Sequence, residues 1–463
     1  VEKLAPRHFF LVGIGGIGMQ AIADVLLGMG HRVTGSNNTD FPDRSRLEQK
    51  GIKVFVGEHQ AEHVPNDIAA LIYTSAIKAN FPDGNHPEVQ KARELGVPVY
   101  KRSEFIGELM KDFVGITVSG THGKTTTATL ITLMLQQAGL MPSALIGAEV
   151  KSLQGCGIVG SGKYMVVEAC EYDRSFLDMR PQIAVVTNIE ADHLDYYHDI
   201  AEIKEAFAQF MERVPSTGLV VACGDDDNVK AILARAQAPV TTFGFNPDND
   251  LVAANVRYEG GKMRFRVDNT EFALNFPGRH LVLDALAAIA VAHHLGISDV
   301  VINQALTEFK GARRRFEVVA EKAGVTFVDD YGHHPTEIKA ALTSARDYFG
   351  ARPIRVVFQA HQYSRTRLLL PGFAESFNLA SEVLVAPILP VRDTEADIVA
   401  IDHHRLVDEI NLVSHNAKAV ESFDEIGKYL ADSLQPGDVV MSLGAGQNSE
   451  WINRFAATWG PEA

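Results

Sequence analysis

Short apolar runs that lead through a tight turn into a helix-period segment recur along the chain, and no other feature constrains the fold as much. Phe9-Phe10-Leu11-Val12, Gly115-Ile116-Thr117-Val118 and Ile354 to Phe358 are such runs. Each is short, mostly apolar and bounded by turn residues, so each reads as a parallel strand covered on both faces. Further strands are expected at Arg32 to Thr34, Ala70 to Thr74, Tyr164 to Val167, Ile183 to Thr187, Val325 to Val328, Glu382 to Val385 and Val439 to Ser442. Helices are expected at Met19 to Met29 and Leu283 to His294, and Phe81 to Gly84 signals a turn. The pattern breaks only between Gly244 and Pro277, where alternation such as Lys262 to Val267 predicts an antiparallel excursion. The expected fold is α/β, with three consecutive domains at 1–111, 112–315 and 316–463.

Composition narrows the function. The 463 residues carry 43 Lys and Arg against 58 Asp and Glu, a formal charge of −15. A general binder of nucleic acid needs a basic face, so no nucleic-acid partner is expected. Three cysteines, Cys156, Cys170 and Cys223, form no CxxC pair, which fits a reducing compartment rather than a disulfide framework. No basic segment followed by an apolar one opens the sequence, and no apolar run is long enough to span a membrane. The expectation is a cytoplasmic protein without a membrane partner; the sequence carries no signal of oligomeric state.

The strand at Gly115 runs into Ser119-Gly120-Thr121-His122-Gly123-Lys124-Thr125-Thr126, followed by a helix that ends near Gly139. Such a turn points backbone N–H groups at one spot, the helix start adds partial positive charge, Lys124 adds a full one, and Thr125 offers a hydroxyl to Mg²⁺. Together these suit a triphosphate, so the central domain reads as a P-loop-type ATPase. The strict G-x-x-x-x-G-K spacing falls elsewhere, at Gly157 to Lys163, where Tyr164 and a strand follow; that stretch reads as a surface hairpin.

Gly13-Ile14-Gly15-Gly16-Ile17-Gly18 follows the first strand and makes the N-terminal domain Rossmann-like. The turn fits the pyrophosphate of a redox dinucleotide or of another nucleotide diphosphate. Gly35-Ser36-Asn37 carries an amide where a redox site needs an acid, which favours the second. Glu168 and the pair Asp192-His193 follow strands of the central block, so they converge on the crevice that holds Lys124 and suit a divalent cation. His333-His334 lacks further ligands at zinc spacing. Arg365 and Arg367, after the strand at Val356, suit recognition of a carboxylate.

As an ordered set these motifs resemble the Mur ligases of peptidoglycan synthesis over essentially the whole chain. The anchors are 13–18, 120–126, Glu168 to Asp173, Thr187 to His193, Arg314-Arg315-Phe316, Asp329 to Glu337 and His361 to Arg367. The resemblance implies a UDP-sugar in the first domain, ATP in the second, an incoming amino acid in a Rossmann-like third, and amide-bond formation through an acyl phosphate. UDP-N-acetylmuramate and L-alanine are the implied substrates, with ATP and Mg²⁺ as cofactors. Residues 120–126 (Gly120, Thr121, His122, Gly123, Lys124, Thr125, Thr126), His280, Asp284, Arg315 and Asp330 are implied at the nucleotide. Thr125, Glu168 and His193 are implied at the metal. Gly13, Gly15, Gly16, Gly18, Ser36, Asn37, Ser75, Tyr331, His333 and Arg365 are implied at the substrates, with Lys124, Glu168, His193 and His333 in catalysis. Leu281 and Asp284 stand where the family has asparagines, Cys170 where it has an acid, and Gln362 where it has an arginine. Two alternatives follow: a ligase that attaches a recycled tripeptide to the same sugar nucleotide, and a nucleotide-binding homologue with altered or lost catalysis.

Overall fold

A computed structural model describes residues 6–74, 77, 85–150, 153 and 155–460 as three sheets in series, with one small extra sheet. The first contains β1 (His8–Val12), β2 (Arg32–Asn37), β3 (Lys53–Val56), β4 (Ala70–Tyr73) and β5 (Val99–Lys101), in the order β3-β2-β1-β4-β5. All its pairings are parallel. β1 is buried at every position, as its unbroken apolar run requires. The strand order reverses beside β1, so the glycine turn that follows it opens onto the crevice where such sheets take ligands.

The second sheet contains β6 (Val114–Ser119), β7 (Ser143–Val150), β8 (Gly155–Ile158), β9 (Tyr164–Glu168), β10 (Ile183–Val186), β11 (Leu219–Cys223), β12 (Val240–Gly244) and β13 (Leu251–Val252). Their order is β13-β12-β11-β10-β6-β9-β7-β8. β6 therefore lies centrally, and helix Lys124–Gln137 leaves from its C-terminal end. That helix is buried from Thr125 to Leu135, because it packs against the sheet, helix Arg279–His294 and helix Asp299–Glu308. The antiparallel excursion is β14 (Ala254–Glu259), β15 (Lys262–Val267) and β16 (Thr270–Leu274), a separate three-stranded sheet.

The hairpin expected at 157–163 is not one. β8 pairs antiparallel with β7, and β7 also pairs with β9, so it separates the strands that the segment connects. The glycines serve close packing instead. A methyl group on Gly157 would meet the backbone of Ala21, and one on Gly160 or Gly162 the backbone of residues 140–142.

The third sheet is β17-β18-β22-β19-β20-β21, from β17 (Glu317–Lys322), β18 (Val325–Asp330), β19 (Ile354–His361), β20 (Glu382–Leu389), β21 (Ala417–Ala419) and β22 (Val439–Leu443). Only β17 is antiparallel in it. One core joins the first two units: Ile22 and Leu26 of helix Ile17–Gly28 belong with Leu145, Met165 and Phe176. The third unit has its own core around Phe358, Phe377 and Leu443. The turn expected at 81–84 lies outside the described residues. Among the described residues no helix is long and apolar enough to cross a membrane.

Candidate active site

The loop after β6 turns on two glycines in the left-handed region, Gly120 (φ 141°) and Gly123 (φ 82°). A methyl group would overlap the Thr187 hydroxyl at the first and the Asp284 carboxyl at the second. The loop is tied to the segment after β10: Thr121 N–H donates to Asn188 O (3.1 Å) and His122 N–H to Asn188 Oδ1 (2.8 Å). Lys124 Nζ donates to Thr121 O (3.0 Å) and pairs with Glu171 (3.1 Å). Burial opposes its charge, but Glu171 and its neighbours hold its pKa above the ordinary lysine value.

Thr125 Oγ1 donates to Glu168 Oε2 at 2.9 Å, and Gly147 N–H donates to the same oxygen at 2.7 Å. His193 lies with different acids: its Nε2 is 3.8 Å from Glu171 Oε1 and 3.9 Å from Asp192 Oδ2. Burial pulls its pKa down despite those carboxylates, and its buried Nδ1 has no hydrogen-bond partner. The expected metal residues thus flank Lys124 as two groups, Thr125 with Glu168 and His193 with Glu171. The hydroxyl and carboxylate oxygens of Thr125 and Glu168 fit Mg²⁺, for which the nitrogen of His193 is a less usual partner.

Helix Pro335–Phe349 of the third unit starts directly against this loop. His122 contacts Glu190 (3.3 Å) and Glu337 (3.1 Å), and Thr336 donates to Glu190 (2.7 Å). Burial opposes the imidazolium, but the two acids outweigh it and raise His122 to about 9. Arg315 lies 3.9 Å from Glu337 and stacks over Tyr331 at 5.1 Å. Asp330 accepts from Phe316 N–H (2.7 Å) and Gly332 N–H (2.8 Å), while burial raises it to about 6. Tyr331 and His333 are 5.1 Å apart, His333 and His361 6.1 Å, measured between rings. Arg365 donates twice to Asp192 Oδ1, at 3.0 and 2.8 Å.

Two cavities border the Lys124 loop and the acids around it. One, about 270 Å³, runs from the loop past His280, Leu281 and Asp284 to Arg315 and Asp330, with Phe276, Phe309 and Phe316 as apolar wall. Burial lifts the Asp284 carboxyl to about 7 and drops His280 to about 4. The other, about 330 Å³, lies between Gly16 and Gly18 of the first unit and Glu168 and Cys170 of the second, with Arg102 in its wall. Burial raises the Cys170 thiol to about 11.

Around the first glycine turn, Gly13 takes φ 78°, and Gly15 N–H donates to Asn37 Oδ1 at 3.1 Å. Asn37 therefore holds the turn, and Ser36 donates to Glu88 (2.6 Å). Ser75 lies outside the described residues. Glu171, Glu190 and Glu337 lie within the motif anchors but are assigned no role there, and Arg102 is not singled out; the structure places all four at the site. Position after a strand points to Glu190; Glu337 closes a motif anchor, but its contact with His122 arises only from the packing of the third unit.

The Mur ligase family, catalytic domain, matches residues 8–114, the Mur ligase middle domain 118–292 and the Mur ligase glutamate ligase domain 314–446. A UDP-N-acetylmuramate–L-alanine ligase from Caldanaerobacter subterraneus is 40% identical over 98% of both chains. One from Desulforapulum autotrophicum is 42% identical over 95% of this chain and 96% of its own. The crystal structure of UDP-N-acetylmuramate–alanine ligase from Thermotoga maritima superposes with a TM-score of 0.81 at 28% identity, covering 97% of this chain and 98% of that one. A murein peptide ligase from Psychrobacter arcticus shares the fold, with a TM-score of 0.71 at 23% identity over 99% of each chain. Full-length identity of this order, with all three domain families matched in sequence order, means that the chain belongs to the Mur ligase family.

Proposed function

We propose that this chain joins L-alanine to UDP-N-acetylmuramate, using ATP, in peptidoglycan precursor synthesis. The observation that carries the reading is the convergence of three units on Lys124, combined with the activity named for relatives 40% and 42% identical over almost their whole length. A carboxylate is a poor acyl donor, since its leaving group would be oxide; phosphorylation turns that oxygen into phosphate, which the alanine amine then displaces. Two anions must meet for this, and Lys124 and the imidazolium of His122 supply fixed positive charge where they do. The 330 Å³ cavity leads from the first glycine turn to Glu168, which suits the sugar carboxylate. The 270 Å³ cavity beyond His122 suits the nucleotide.

Thr125, Glu168 and His193 would hold Mg²⁺, which when bound neutralises phosphate charge and polarises the transferred group. Arg365 offers a guanidinium that an amino-acid carboxylate can share with, or take from, Asp192. His333, between Tyr331 and His361, stands where it can orient the amine or take its proton. Closure of the third unit excludes water from the activated acyl group.

The test mixes protein, ATP, Mg²⁺, UDP-N-acetylmuramate and single amino acids, and follows phosphate release. Release dependent on L-alanine is expected. Release with a tripeptide but not with alanine would select the recycling ligase, and nucleotide binding without any release would select a homologue without catalysis.

A further inference from the structure

A second cluster of titratable side chains lies in the first unit, apart from Lys124. At its centre is Glu88, in the first turn of helix Pro87–Glu94, with its side chain 0% exposed. His59 Nδ1 stands 3.0 Å from Glu88 Oε2 and His63 Nδ1 2.9 Å from Oε1, both rings largely buried. His86 is buried too, its ring 4.5 Å from that of His59. One donor atom each from His59, His86 and Glu88 lie within 4.8 Å of one another. Among the described residues no lysine or arginine comes within ion-pair distance of Glu88. A carboxylate withdrawn from water needs a positive partner, which here is an imidazolium or a bound cation.

We propose that His59, His86 and Glu88 form a binding site for a divalent transition-metal ion, with zinc the best match. Two imidazoles and one carboxylate are the donor set of an open zinc site, with water in the fourth position; magnesium and calcium take oxygen. The ligands come from two segments far apart in sequence, His59 and His86-x-Glu88, so a bound ion cross-links the unit. The surroundings help. Phe55 stacks on His63 (4.3 Å between rings, 13° between planes), and Val64, Leu71 and Val89 form a buried apolar cluster on this side of the first sheet.

The site is joined to the glycine turn. Ser36 donates to Glu88, and its neighbour Asn37 holds the Gly15 amide. An ion that takes up the Glu88 oxygens competes with the Ser36 hydroxyl for them, so zinc should alter sugar-nucleotide affinity as well as stability.

The experiment uses the full chain stripped of metal and titrated calorimetrically with ZnCl₂. Co²⁺ absorption then reports geometry. Two other clusters could compete, the one at Lys124 (His122, Glu190 and His334) and one formed by buried His403 with exposed His404 and Glu421; His404→Ala removes the second and is the background for every variant. In that background the site should take one zinc. Glu88→Gln and His86→Asn should each weaken it by about 100-fold or more, and Co²⁺ should give the strong visible bands of a tetrahedral ion. Equal zinc affinity in parent and both variants, or no zinc bound by a parent folded by circular dichroism, overturns the proposal. His86→Asn keeps Glu88 and its two histidine contacts, so it decides the matter should Glu88→Gln fail to fold.

Discussion

Asp284 shows how much one side chain can set. It replaces a family asparagine on helix Arg279–His294, is 6% exposed, and lies against Gly123 at the start of the Lys124 helix. Burial raises its carboxyl to about 7, opposed by Arg315 and His122. The unfolded chain titrates near 4, so the folded state holds this proton more tightly. The associated stability is complete below about pH 4 and is lost as pH rises through about 7. Asp284→Asn removes the penalty of a buried charge without changing shape. Denaturant unfolding should therefore show a gain of at most ~1 kcal/mol for the variant at pH 4.5 and of ~2–4 kcal/mol at pH 8. His122 loses its own contribution as pH rises from about 6.5 through about 9, but parent and variant share that loss. A gain equal at both pH values would mean that Asp284 is already ionised in the folded protein. A protonated Asp284 also offers one donor and one acceptor, as an amide does, so the variant should keep nucleotide binding.

Among elements, the strand–loop–helix unit at Lys124 was legible from sequence because every part of it is local: the apolar strand, the two glycines, the lysine and the helix. The Gly157 segment was misread because strand order is not local; nothing in residues 155–168 says that β7 will insert between β8 and β9. β17 was overlooked for a related reason, as it is a half-exposed strand whose partner β18 alone defines it. Glu171 was passed over because its role arises across elements, from the turn after β9 to the loop after β6. That pair separates structure from chemistry. Lys124 and Glu171 are 15% and 4% exposed, so Lys124→Met leaves a buried carboxylate unmatched and should cost on the order of 3 kcal/mol. Adding Glu171→Gln should recover most of that stability and none of the turnover, while sugar-nucleotide binding stays near the parent value. Recovery of turnover in the double variant would show that Lys124 serves only to neutralise Glu171.

At the scale of the molecule, the two junctions between units differ in kind. The first and second share one apolar core, sealed where Gly157 meets Ala21, so they should move as one body. The third keeps its own core and meets the second mainly through polar groups: His122 with Glu337, Thr336 with Glu190, and Arg365 with Asp192. Polar junctions of this kind are where domains move. The Arg365–Asp192 pair is the most buried of these, at 6% and 10% exposed. Burial opposes the Asp192 charge, but His193 and Arg365 overcome it and hold the carboxyl far below its usual range. A depressed pKa means that the pair's contribution is intact above about pH 4 and is lost only in stronger acid, so acid does not open this junction at pH 5. Asp192→Asn should open it at any pH. Small-angle scattering of the ligand-free variant should give a larger radius of gyration than the parent, and the KM for the amino acid should change while sugar-nucleotide binding does not. An unchanged radius together with an unchanged KM would mean that the contacts at His122 and Thr336 hold the third unit by themselves, with Arg365 outside the path of the incoming amino acid.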